Sequence, residues 1–249
     1  IPEMDLSKNY IEELKETLNQ EEIVLVASSQ SDNNQIIVIE QKHYSSNTQA
    51  IGRALRIMSR FIPIKYNKFT VVVAELGIPI VEITIDRNEI ASIVDAPNSE
   101  LIALSTAEIK AAKSIYKNSN PNYNSKLNYD WSIFPYYRLH LFDPDNPFYY
   151  DIGPRLRARI LPKPGLLISG SLEKSVLSSF DDINRGSKGS LPSVRTNMKQ
   201  YLNILDERIE HLTMSSYFKI QDEVYGRITA GYLEPMFAGI SSEILFSPI

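Results

Sequence analysis

From Trp131 to the end of the chain, long runs of residues alternate apolar and polar, and few folds accommodate that pattern. Adjacent side chains on a strand point to opposite faces, so each run sorts by parity. In 149–160, Ile152, Pro154, Leu156, Ala158 and Ile160 share one face, while Asp151, Gly153, Arg155, Arg157 and Arg159 share the other. In 131–142, Ile133, Pro135, Tyr137, Leu139 and Leu141 oppose Tyr136, Arg138 and His140. Leu212, Met214, Phe218 and Ile220 oppose His211, Thr213, Ser215, Tyr217 and Lys219 in 208–220. In 224–233, Val224, Ile228, Ala230 and Tyr232 oppose Tyr225, Arg227 and Thr229. The periodicity predicts strands at 131–142, 149–160, 166–176, 193–205, 208–220, 224–233 and 237–247, with no helix between them.

The greasy side of such strands needs either a second protein layer, as in a sandwich, or lipid. Three features favour lipid. The strands are longer than the usual five or six residues or so and match the roughly 9–11 of a tilted membrane strand. Aromatic residues crowd the strand ends (Phe134, Tyr136, Phe148, Tyr149, Tyr150, Tyr201, Phe237 and Phe246), as in an aromatic girdle. Connections on one side (161–165, 206–207, 234–236) are short, and two of those on the other (143–148, 177–192) are longer. The expectation for 131–249 is therefore an antiparallel, up-and-down transmembrane β-barrel portion. Seven strands cannot close a standard barrel, so an incomplete piece is expected. No apolar run approaches the roughly 20 residues of a membrane helix.

Residues 1–95 follow a different rule. Leu6, Tyr10, Ile11, Leu14 and Leu18 recur at helical spacing, as do Ile51, Leu55, Met58 and Ile62 in a second helix over Asn47–Phe61. Extended segments are predicted at Ile23–Ser29, Gln35–Gln41, Phe69–Leu76 and Ile78–Ile85, and a short helix after Asp86, with Glu89 completing a capping box. The order predicts an α+β module with helices on one face of a sheet. Residues 96–130 read as a linker with one helix, Ser105–Tyr116, followed by the turn-rich KNSNPNYNSK.

Little in the chain suggests catalysis. There is no cysteine, and His43, His140 and His211 lie too far apart for a zinc spacing. GSKGS (186–190) lacks the P-loop pattern, no G-x-S-x-G elbow occurs, and Glu234 has no second carboxylate placed to form a glycosidase pair. Asp143-Pro-Asp145-Asn-Pro147 fits a rigid turn better than a calcium loop. With 26 Lys and Arg against 30 Asp and Glu, the chain lacks the basic excess of a nucleic-acid binder. The expectation is a non-enzymatic protein with no cofactor and no metal.

Inside a barrel, Arg138, His140, Arg155, Arg157, Arg159, Tyr217 and Arg227 would line the lumen. They could form a path for an anionic polymer. Alternatively, the arginines could pair with Asp151, Glu173 and Glu243 in a structural network. Tyr136, Tyr217 and Tyr225 share that face, where rings either stack on sugars or fill space. Arg53, Arg56 and Arg60 form a basic stripe on the second helix, a solvated face or a dock for an acidic glycan or protein partner.

The stretches LFDPDNPFYYDIGPRLRARILPKPGLLISGSL (141–172), LPSVRTNMKQY (191–201) and YGRITAGYLEPMFAGISSEILFSP (225–248) resemble the YjbH/GfcD-type exopolysaccharide biosynthesis family of outer-membrane proteins. GRALRIMSRFIP (52–63) and GIPIVEITIDR (77–87) resemble that family's α/β module. The resemblance implies a large barrel with soluble modules, encoded beside capsule or exopolysaccharide machinery and supporting secretion or assembly rather than catalysis. It carries no catalytic residues over, and it implies a chain much longer than this one. The expected protein sits in the outer membrane in contact with its lipid, with residues 1–130 in the periplasm. Its expected partners are anionic polysaccharide and other export proteins, not nucleic acid. The alternatives are a porin-like barrel without a polysaccharide role and a soluble periplasmic glycan-binding β-sandwich.

Overall fold

A computed structural model describes residues 6–41, 43–94, 106–113, 128–142, 146–180, 207–235 and 237–248. The chain divides into two compact units, Ile1–Lys126 with Phe218–Gly226 and Ile244–Ile249, and Leu127–Tyr217 with Arg227–Glu243.

The first unit is built from α1 (Leu6–Gln20), β1 (Ile23–Ser31), β2 (Asn34–Gln41), α2 (Asn47–Phe61), β3 (Lys68–Glu75), β4 (Ile78–Asp86), α3 (Arg87–Val94) and β5 (Glu108–Ala111). The five strands lie in sequence order in one sheet. Only β2 and β3 are parallel, and such a pair needs a crossover longer than a hairpin, which α2 supplies. The apolar stripe read from the sequence is the buried side of α2: Ala50, Ile51, Ala54, Leu55 and Met58. It packs with Leu14 and Leu18 of α1 against Ile37, Ile39, Phe69 and Val71 of the sheet. Ser46 caps the start of α2, its hydroxyl accepting from Thr48 N at 3.2 Å. At the other end, the Arg87 guanidinium donates to the carbonyls of Ser59, Ile62 and Pro63, each at 2.9 Å. One side chain thus satisfies carbonyls that the helix end leaves unpaired.

The helix expected over Ser105–Tyr116 is replaced, where described, by β5. Glu108–Ala111 pairs antiparallel with Val81–Thr84 of β4. Ladder bonds at an otherwise open sheet edge outweigh the weak helical preference of so short a segment.

The second sheet contains β6 (Asn128–Leu141), β7 (Phe148–Lys163), β8 (Leu166–Lys174), β9 (Leu177–Ser178), β10 (Glu207–Gln221), β11 (Val224–Glu234) and β12 (Phe237–Phe246). Long antiparallel neighbours follow one another, as the alternation predicts. The transmembrane barrel does not follow. The strand order is β12-β11-β10-β8-β7-β6, with β9 paired to β7, so the described strands form an open sheet whose edges are β6 and β12. A barrel requires those edges to bond to each other, and local alternation does not encode that closure. The lumen assigned to the polar residues and the lipid-facing wall fall with it. What remains is an open sheet with two chemically different faces. On the apolar face, Trp131, Ile133 and Tyr137 are 61%, 64% and 78% exposed, not packed in a sandwich core. The expected strand 193–205 and the residues 143–145 lie outside the described residues.

Candidate functional site

Residues directly opposite each other across antiparallel strands share a face, so the register assembles the polar face in rows. One row is Phe134, Arg155, Glu173 and Arg208; the next is Ser132, Arg157, Ser171 and His211; the third is Asp130, Arg159, Ser169 and Thr213. Charge distribution differs sharply between them.

The first row, with Asp151, Arg138 and Tyr136 beside it, is a closed ion cluster. Asp151 and Glu173 are 1% and 3% exposed, which would be prohibitive for unpaired carboxylates. Glu173 accepts from Arg155 Nε at 2.8 Å, Arg208 Nε at 2.5 Å and Arg138 Nη2 at 3.2 Å. Asp151 accepts from Arg208 Nη2 at 2.9 Å, Ser175 Oγ at 2.7 Å and Tyr136 OH at 3.1 Å. Arg155 also pairs with Glu210 at 3.0 Å. Burial pushes the Glu173 carboxyl up, but bonds from Arg155 and Arg208 and the charges of Arg208 and Arg138 outweigh it. The carboxyl is held below its ordinary range. Burial and the Asp151 charge push the Tyr136 phenol up to about 12, so it stays a neutral donor. The Tyr136 ring lies within 5.9 Å of the Arg138, Arg155 and Arg208 guanidiniums. Gly153 makes room for this packing, because a Cβ there would overlap the Lys174 carbonyl and press on the Tyr136 ring.

The second row is different. Arg157 is exposed; among the described residues its guanidinium has no carboxylate partner and lies 5.3 Å from the centre of the Phe134 ring. Across the strand, Ser171 is 2% exposed and its hydroxyl has no hydrogen-bond partner among the described residues. His211 Nε2 shares a 3.0 Å bond with Ser169 Oγ. In the third row, Arg159 pairs with the exposed Asp130 at 3.1 Å.

The residues singled out in the sequence therefore separate. Arg138 and Arg155 are locked in the ion cluster, Arg159 and Arg227 are paired with Asp130 and Glu243, and Arg157 alone of the five arginines has no acidic partner among the described residues. His140 lies with its ring 6.4 Å from Tyr149, which stacks on Phe180. Tyr217 contributes a backbone N–H to Gly165 O at 2.6 Å, and Tyr225, in the first unit, donates to Ile80 O at 3.3 Å. On α2, Arg53 is paired with Glu21 at 2.5 Å, while Arg56 and Arg60 are exposed. Sequence parity missed Arg208. The register shifts between Ile209 and His211, so Glu210 has no partner on β8 and Arg208 moves to the polar face. The signal was present: apolar residues at 209 and 212 break the two-residue period.

The described residues offer no cluster that could hold a metal ion. Together, fold and site define a class: a scaffold of two sheet-based units, one carrying a polar face stapled by buried ion pairs. The chain belongs to the family described as "Exopolysaccharide biosynthesis protein YbjH", whose model matches residues 3–249. It is 26% identical over 216 residues to "Uncharacterized lipoprotein YjbH" of Escherichia coli (strain K12), an alignment covering 84% of this chain. The aligned part spans 30% of that relative's length. No solved structure matches the chain.

Proposed function

We propose that this chain is a non-catalytic component of the cell envelope that supports secretion or assembly of an exopolysaccharide, contacting the polymer on the polar face of its second sheet. The carrying observation is the ion cluster around Asp151 and Glu173. A glycosidase needs one carboxyl kept protonated near neutral pH to act as general acid. Here the two buried carboxylates of the face are clamped by guanidiniums, and Glu173 is pushed the opposite way from a general acid. The cluster acts as a rigid staple across β6, β7, β8 and β10. Family membership supports the link to exopolysaccharide, and the lipoprotein name of the relative supports an envelope location.

Deleting the coding gene in its host and measuring exported exopolysaccharide tests the role. Output should fall and return with the wild-type gene; unchanged output would overturn it. Incubating the purified chain with that polymer tests the rest. Chain length and reducing ends should stay constant, and depolymerisation would show an enzyme.

A further inference from the structure

We infer that Arg157 and Ser171 form a subsite for the carboxylate of an acidic sugar, one repeat of an acidic polysaccharide lying on the polar face. The inference rests on the proposed role in exopolysaccharide handling and names the substrate class. Its basis is a contrast among neighbours on one sheet. Arg155 and Arg159, two residues to either side of Arg157 on β7, are neutralised by Glu173 and Glu210 and by Asp130. Arg157 is exposed between them without an acidic partner among the described residues. Its register partners, Ser132 on β6 and Ser171 on β8, present hydroxyls rather than carboxylates, so the row offers hydrogen bonds and one net positive charge.

Two further observations point to a ligand. Buried hydroxyls almost always have a partner, yet among the described residues the Ser171 Oγ has none; an acceptor held by Arg157 would supply one from outside the chain. The Arg157 guanidinium also lies against the Phe134 ring, which fixes the side chain without using its N–H fork. A planar fork held in that way matches a carboxylate with two parallel bonds, which a neutral sugar cannot reproduce. Neighbouring Ser169, bonded to His211, and Thr213 extend a hydroxyl-rich surface for the sugar ring.

The test is isothermal titration of the full chain with oligogalacturonate as a carboxylate-bearing probe and dextran oligosaccharide as its neutral counterpart. Oligogalacturonate should bind and dextran should not. Arg157→Gln should weaken binding by at least about tenfold, with an unchanged denaturant midpoint because Arg157 makes no ion pair among the described residues. Lys65→Gln, which removes an exposed charge from the first unit, should bind as wild type. Ser171→Ala should weaken binding while leaving stability equal or slightly higher, since it removes an unpaired buried hydroxyl. The subsite is overturned by absent oligogalacturonate binding, by equal dextran binding, by undiminished affinity in Arg157→Gln, or by an equal loss in Lys65→Gln. Undiminished affinity in Ser171→Ala removes Ser171 from it. These results are separable from the deletion experiment. If deletion stops export but the Arg157→Gln gene restores it fully and its product binds normally, the subsite fails and the role stands. If deletion leaves export unchanged, the role fails whatever the titration shows.

Discussion

At Glu173, burial and charge pull in opposite directions, and the guanidiniums of Arg155, Arg208 and Arg138 decide the outcome. Replacing it with Gln would leave three buried or half-buried cations short of a partner, and breaking a buried pair from one side costs about 3–5 kcal/mol. Glu173→Gln should therefore lower the urea midpoint far more than Arg157→Gln, and equal midpoints would contradict the cluster. The pH dependence has a definite sign. A carboxyl whose folded pKa is depressed adds stability above its unfolded value, near 4.3 or so, and that contribution is lost as pH falls through the folded value. Urea midpoints should fall on acidification below about pH 4, and the fall should be shallower in Glu173→Gln; parallel curves would contradict this. Parity put Arg138, Arg155 and Arg157 on one face from sequence alone, and the partners Asp151 and Glu173 were legible too. Which arginine would be left without a carboxylate was not. That depends on cross-strand register, which places Glu173 beside Arg155 and Ser171 beside Arg157.

Local elements were the most legible part of the fold. The apolar spacing in α1 and α2 and the turns at Asn33 and Gly77 were fixed by neighbours in sequence, and the structure has helices and hairpins there. Two features depended on distant residues and were misread or missed. Glu108–Ala111 became a strand because β4 offered an edge, and the bulge at Glu210 put Arg208 on the polar face, which the parity of 211–220 does not reveal. The bulge yields a prediction at this scale. Deleting Glu210 removes the extra residue and leaves Arg208, Ile209, His211 and Leu212 in simple alternation, so Arg208 stays on the polar face with Asp151 and Glu173. The deletion variant's urea midpoint should drop less than that of Arg208→Ala, and an equal or larger drop would mean that the bulge itself is needed to hold Arg208 against the carboxylates. In the first unit, Arg87→Ala removes the charged donor from three carbonyls at the end of α2 and should cost about 1.5–3 kcal/mol, read from denaturant unfolding. A loss within error would show that solvent replaces those bonds freely.

For the molecule as a whole, the sequence revealed two regimes but not how the second one ends. Alternation, long strands and terminal aromatics are properties of single strands, whereas closure is a property of the two edges, and among the described strands β6 and β12 are not paired to each other. The exposed apolar face and those edges are features that folded chains normally cover. The isolated chain should therefore self-associate in plain buffer and become monodisperse in mild detergent, as read by sedimentation velocity; a stable monomer without detergent would contradict this. The functional account turns on the charge state of the polar face: a stapled scaffold that presents Arg157, not an acid–base site. Carbon-13 titration of the Glu173 side-chain carboxyl, assigned by comparison with Glu173→Gln, measures that state directly. The account predicts a midpoint below the ordinary glutamate range, leaving the group fully ionised at neutral pH. A midpoint at or above that range would show a carboxyl able to donate a proton, and the non-catalytic reading would be wrong.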